Sequence, residues 1–244
     1  MNAIDTYMNN LRMLMIRVQK TQAEAMEEAA RRIAGCMQRG GMLYTFGTGH
    51  GHLLALEIFY RAGGMARVCP IMDEKLMLHV SASGSTLEER SEAWVPRLLE
   101  RYPIGEGDVL ICMSNSGRNA VPVLLAREAQ VRGAFVIALT SMNHTSAVSA
   151  RNSVGLRLFE TADLVLDNGG VLGDACVSFA DGAMVGPTST AVGAAILQAI
   201  VCRVKERSLE EGFGADFFQS SNVDGGDEWN DRLIERYKDV IPGL

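Results

Sequence analysis

The segment Val109-Leu110-Ile111-Cys112-Met113 is apolar at every position and runs directly into Ser114-Asn115-Ser116-Gly117-Arg118-Asn119. A strand with one wet face alternates apolar and polar side chains. One that is apolar on both faces belongs inside a sheet covered on both sides, as parallel sheets are. Ala120 to Arg132 then places Val121, Leu124, Leu125 and Ala129 at helical spacing, with Pro122 in the first turn, where no N–H is needed. The turn between strand and helix combines free backbone N–H groups, the positive end of the helix dipole, the Ser114 and Ser116 hydroxyls and the Asn119 amide. It suits an anionic oxygen ligand. An ordinary strand-to-helix turn capped by Ser and Asn would use the same residues.

The pattern recurs along the chain. Asp5–Lys20 and Thr21–Met37 have helical periodicity, stopped by Gly40-Gly41. Met42–Phe46 is a short apolar strand, Gly47–Gly51 a glycine-rich turn, and His52–Ala62 a helix ending at Gly63-Gly64. Arg67–Ile71 is a second strand and Leu87–Tyr102 a helix. Beyond the helix at 120–132, Ala134–Leu139 is again apolar on both faces and ends in Thr140-Ser141; Leu164–Asp167 is a last strand. The loop from there to Gly186 takes no assignment. Thr190–Ser208 reads as a long small-residue helix that is buried or packed in an oligomer, and Glu228–Tyr237 as a final amphipathic helix. Strands alternating with helices predict an α/β fold, an open, mostly parallel sheet with helices on both faces. The expected organisation is one domain over 1–244, with N-terminal helices at 1–40, the sheet core at 41–208 and a tail and helix at 209–244. Ligands of such sheets bind beyond the carboxyl ends of the strands, so the turns after Phe46, Met113 and Leu139 are expected to converge.

Composition narrows the class. The formal charge of −6 and the absence of a basic stripe argue against a nucleic-acid partner. No apolar run is long enough to cross a bilayer, and Asp5, Asn9, Asn10 and Arg12 interrupt the N-terminus, so no signal peptide is read and a cytoplasmic location is expected. The five cysteines, Cys36, Cys69, Cys112, Cys176 and Cys202, show neither CxxC pairs nor a Cys/His metal spacing. They are expected to be reduced core residues, and no cofactor is implied.

Phe46-Gly47-Thr48-Gly49-His50-Gly51-His52, Ser114-Asn115-Ser116-Gly117 and Ala138-Leu139-Thr140-Ser141, in this order and on these elements, resemble the SIS (sugar isomerase) family, most closely its UPF0309-type bacterial members. The likeness extends to Glu57–Gly64, Gly186–Thr190 and Asn222–Glu228, and so covers nearly the whole chain. It implies a three-layer αβα, flavodoxin-like sandwich, self-association as a dimer or tetramer, and a phosphorylated sugar or sugar derivative as ligand. In the family the turn matching Ser114, Ser116 and Asn119 holds the sugar phosphate. Two departures stand out: the family turn more often has Thr or Ser in place of Asn119, and an acidic residue in place of Val121.

Isomerisation of a sugar phosphate needs a base near the C1–C2 edge and an acid that helps open the ring. Glu57, among Leu53, Leu54, Phe59 and Tyr60, is the first candidate base, with a salt bridge to Arg61 as its structural alternative. His52 would assist. His50 and His52 could open the ring, bind a hydroxyl, stabilise the turn, or ligate a metal with Glu57 or His79; no metal site is assigned. Gly47, Thr48, Gly49, His50, Arg61, Ser114, Asn115, Ser116, Asn119, Thr140 and Ser141 are the expected substrate contacts. Asp224 joins them if the tail closes over the sugar, as the resemblance to several SIS enzymes implies; capping of the last helix by Asp227 is the simpler role of that acidic cluster. Glu88 and Glu89 read as a helix N-terminal charge pair, with Glu88 a reserve acid/base. The expected activity is an aldose–ketose isomerase, or a related lyase or etherase; the alternative is a non-catalytic phosphosugar sensor.

Overall fold

A computed structural model describes residues 2–244. Five parallel strands, β1 (Leu43–Gly47), β2 (Val68–Ile71), β3 (Val109–Met113), β4 (Phe135–Thr140) and β5 (Leu164–Asp167), form one sheet in the order β2-β1-β3-β4-β5. Around it lie α1 (Ala3–Thr21), α2 (Ala23–Gln38), α3 (Gly51–Glu57), α4 (Ala82–Glu88), α5 (Trp94–Arg101), α6 (Ala120–Val131), α7 (Met142–Ser146), α8 (Ser189–Glu210) and α9 (Gly226–Tyr237).

Alternation along each strand divides the core between the two sheet faces. Tyr44, Phe46, Cys69, Leu110, Cys112 and Val136 belong to a core with side chains of α5, α6 and α9. Leu43, Val68, Val109, Ile111, Met113 and Ile137 belong to the opposite core with α2, α3 and α8. The expected αβα sandwich is therefore present, and β3 lies at its centre. Each of its side chains is at most 2% exposed, and burial of one such side chain contributes about 1.5–3 kcal/mol. Among the described residues, no helix is long and apolar enough to cross a membrane.

Three departures from the sequence reading have local causes. The helix expected to reach Ala62 stops at Glu57, because the next residues turn back so that 63–66 pair with 216–218: Gly63 N–H donates to Phe218 O and Phe218 N–H to Gly64 O, both at 2.9 Å. The helix expected over Leu87–Tyr102 is two helices. A continuous helix would place Pro96 in its interior; restarting at Trp94 puts that proline in a first turn instead. The unassigned loop contains an antiparallel hairpin, β6 (Ala175–Ser178) and β7 (Met184–Pro187), turned at Asp181-Gly182. It is held to α1 by Tyr7 OH donating to Pro187 O at 3.0 Å and Asn10 Nδ2 to Cys176 O at 2.9 Å.

Candidate active site

The strand order reverses between β1 and β3, with β2 on one side and β4 and β5 on the other. At such a switch point the connections leave toward opposite faces and open a crevice at the carboxyl edge. A cavity of about 480 Å3 lies here, a size that suits a small organic ligand. Thr48–Gly51 after β1 and Ser114–Ser116 after β3 line it. They are joined by Thr86 and Glu89, His144 of α7, Asn168 and Asp174 beyond β5, and Ser189 and Thr190 of α8.

Close backbone approach explains the glycines of the first turn. A Cβ on Gly47 would meet Gly51 backbone at 2.4 Å, and one on Gly51 would meet the Met113 carbonyl at 2.8 Å. Larger residues would push α3 off the ends of β1 and β3. In the second turn Gly117 has φ +55°, and its N–H donates to Ser114 Oγ at 3.2 Å. Ser116, by contrast, has an unengaged hydroxyl, and the N–H groups of Asn115 and Ser116 have no partner among the described residues. These are the free donors that an anionic oxygen needs.

The remaining expected contacts divide between lining and support. His50 and Gly49 line the cavity. His52 is buried and its Nδ1 donates to Gly49 O, so it braces the turn rather than lining the cavity. Thr140 and Ser141 are fully buried: Thr140 Oγ1 donates to Asn115 O at 3.2 Å and Ser141 Oγ to Gly170 O at 2.7 Å. The Ser141 N–H also donates to Asn115 O at 3.2 Å, so both residues hold the second turn from behind. Glu57 lies outside the cavity lining, ion-paired with Arg61 and accepting from Gln198 Nε2 at 3.0 Å. The local salt bridge thus accounts for Arg61. Asp224 sits in an exposed turn, also away from the cavity. Among the described residues no three His, Cys, Asp or Glu side chains gather closely enough to hold a metal ion, so His50 and His52 form no such group with Glu57 or His79.

Glu89 and Asp174 are the two carboxylates that line the cavity, and Glu89 ties its turns together. Its Oε2 accepts from Thr48 Oγ1 at 2.6 Å and its Oε1 from Asn119 Nδ2 at 2.5 Å, linking both polar turns through one side chain. Asn119 occupies the N-cap position of α6 but spends its amide on Glu89 rather than on the helix. The Val121 N–H is also taken by Glu89, through its main-chain carbonyl at 3.0 Å. Burial raises the Glu89 pKa above the ordinary carboxyl value, while the Thr48 and Asn119 hydrogen bonds and the fields of Arg90 and Arg151 oppose the rise. Glu88 points elsewhere and accepts from Trp94 Nε1 at 2.8 Å.

His144 also lines the cavity, and its Nδ1 is buried without a hydrogen-bond partner among the described residues. Burial lowers its pKa, helped by the Arg118 charge and opposed by the field of Asp174, which favours the neutral imidazole. Asp174 itself closes the start of α8, accepting from the Thr188 and Ser189 N–H groups at 3.1 and 2.9 Å. Sequence reasoning missed Glu89, His144 and Asp174 as cavity residues. Only the Glu88-Glu89 pair carried a signal, and the helix break decided which member faced inward.

A family model described as the SIS domain matches residues 6–141. The chain belongs to the SIS domain family. This SIS protein is 38% identical over 242 residues to a UPF0309 protein of Listeria innocua serovar 6a, covering 99% of this chain and 98% of the relative. It is therefore a UPF0309-type member. Among solved structures, the SIS fold matches the phosphoheptose isomerase of Neisseria gonorrhoeae with a TM-score of 0.56 at 15% identity, covering 83% of this chain and 97% of that one. It also matches the Vibrio vulnificus NanR protein complexed with ManNAc-6P, with a TM-score of 0.54 at 16% identity over 100% of this chain and 70% of that one. These structural likenesses extend the fold assignment.

Proposed function

We propose that the cavity between the β1 and β3 turns binds a phosphorylated sugar and isomerises it between aldose and ketose forms by proton transfer next to the carbonyl. One observation carries the reading. A protonatable carboxyl, Glu89, and a turn with free anion donors, Ser114–Ser116, face one cavity of matching size. The phosphate sits on the Asn115 and Ser116 N–H groups and the Ser116 hydroxyl; His50 contacts a sugar hydroxyl. Glu89, held by Thr48 and Asn119, takes the proton from the carbon beside the carbonyl and returns it to the neighbouring carbon. Neutral His144 exchanges a proton with the carbonyl or ring oxygen. Glu89 takes the role that the sequence alone would assign to Glu57, because Glu57 is tied to Arg61 and Gln198 outside the cavity. The phosphoheptose isomerase and the ManNAc-6P complex among the matched structures agree with this ligand class.

The protein is further read as a single domain that self-associates and works in a reducing compartment such as the cytoplasm. Leu233 and Tyr237 of α9 and Val18 of α1 join the two sheet cores, which supports one folding unit. Exposed Ile4, Met8, Phe179 and Val185 border an apolar groove between α1 and the hairpin, which supports pairing with a second copy. All five cysteines are unpaired. Titration calorimetry with aldose and ketose phosphates and their unphosphorylated sugars tests the binding reading. Phosphorylated sugars should bind, unphosphorylated ones should not, and Ser116→Ala should weaken binding; equal affinities, or no effect of Ser116→Ala, would place the anion elsewhere.

A further inference from the structure

Next to Glu89 and Asn119, outside the cavity lining itself, are three arginines that make no side-chain ion pair among the described residues. Arg90 follows Glu89 in sequence, Arg118 precedes Asn119, and Arg151 pairs with Asn119 in an isolated parallel bridge, its N–H donating to Arg118 O at 2.8 Å. The three therefore flank the two residues whose side chains meet at the cavity.

The carboxylates of this segment are occupied by neutral donors. Glu88 accepts from Trp94, Glu89 from Thr48 and Asn119, and Glu92 from the N–H and hydroxyl of Ser153 at 2.8 and 2.9 Å. Among the described residues, Arg90 and Arg151 have no side-chain hydrogen bond or ion pair. Arg118 has only a 3.3 Å contact from Nη2 to Ser149 Oγ, and its Nε is buried and unpartnered. The mutual repulsion is felt: Arg118 and Arg90 both depress the Arg151 pKa, with Glu89 opposing. Arg118 also acts on His144 in the cavity wall.

Arg90 and Arg151 share the field of one carboxylate, Glu89, whose oxygens are already occupied by Thr48 and Asn119, and guanidinium forks match phosphate and carboxylate oxygens. We propose that Arg90, Arg118 and Arg151 bind a second anionic group on the molecule that occupies the cavity. The preferred ligand is then a sugar phosphate that carries a further phosphate or carboxylate. The proposal rests on the phosphosugar reading of the cavity and narrows its substrate class. One end of the ligand lies on the Ser114–Ser116 turn, its reacting carbons lie by Glu89, and its second anion lies across the Glu89–Asn119 bridge on the arginines.

The test compares hexose 6-phosphate, hexose 1,6-bisphosphate and 6-phosphogluconate by calorimetry on the wild type and on Arg90→Gln/Arg151→Gln, with thermal denaturation to confirm that the variant folds. Either the bisphosphate or the phosphogluconate should bind the wild type about ten-fold or more tighter than the monophosphate, the size of one charge-assisted contact. The two ligands distinguish a phosphate from a carboxylate as the second group. In the double variant the ratio should collapse to about one, since the contact giving about ten-fold is gone. Equal wild-type affinities, or a preference that survives the substitutions, would overturn the proposal. Failure of the underlying reading looks different: Ser116→Ala would then leave all affinities unchanged, while the bis-anionic preference would still follow the arginines.

Discussion

Asn119→Ala separates stability from proton affinity at the bridge under the cavity. The Asn119 Nδ2–Glu89 Oε1 bond of 2.5 Å has a carboxylate as acceptor, and losing such a bond costs about 1.5–3 kcal/mol. The same side chain carries Oδ1, buried without a partner among the described residues, and removing an orphaned acceptor returns about 1–3 kcal/mol. The two nearly cancel, so global stability near neutral pH should change by no more than about 1 kcal/mol. Proton affinity does not cancel. Burial raises the Glu89 pKa above 4.5 and the Asn119 bond pulls it down, so the variant must titrate higher. A carboxyl with a raised folded pKa contributes stability that is fully present below its unfolded value and is lost as pH rises through its folded value. In Asn119→Ala that loss should extend to higher pH. The assay is a titration of 13C-labelled glutamate carboxyls by NMR, with Glu89 assigned by its disappearance in Glu89→Gln, alongside denaturant unfolding across the same pH range. A Glu89 midpoint that stays put or falls in Asn119→Ala would refute the assignment of this hydrogen bond.

Glu57→Gln breaks a partly exposed ion pair, so unfolding should show a change within about 1 kcal/mol, and isomerisation should persist; its loss would return the base to Glu57. Gly117→Ala puts a side chain at φ +55° with its Cβ 3.0 Å from Thr145 Oγ1 and 3.2 Å from Leu158 Cβ. Chemical denaturation should show at least about 1–2 kcal/mol of destabilisation from the backbone alone. Met8→Glu places a charge in the apolar groove beside the hairpin; sedimentation should show a smaller assembly, and an unchanged mass would remove this face from the interface.

The fold was legible because its signals were local and repeated. Val109–Met113 and Ala134–Leu139 are apolar on both faces, each followed by a polar turn, and this is enough to call for a covered parallel sheet. The Ser114–Ser116 and Thr48–His50 turns of the site were legible for the same reason. Glu89 was not, because its role depends on a break between α4 and α5 and on partners 41 and 30 residues away in sequence, Thr48 and Asn119. Glu57 drew attention by its apolar surroundings, yet Gln198 of α8 and the early end of α3 fix it outside the cavity, and neither follows from local periodicity. Thr140 and Ser141 lie at the expected edge, but their hydroxyls are consumed by the carbonyls of Asn115 and Gly170, a tertiary contact that no spacing rule encodes.

The central claim is that Glu89 moves a proton on a phosphosugar. Its most direct test follows solvent deuterium into a panel of aldose and ketose phosphates by proton NMR, with wild type, Glu89→Gln and Glu57→Gln in parallel. Deuterium should enter at C1 or C2 of one pair with the wild type and Glu57→Gln, and exchange should fall by at least about 100-fold in Glu89→Gln, the scale of general acid–base catalysis. Exchange that survives in Glu89→Gln, or a sugar phosphate that binds the wild type and never exchanges, would contradict it.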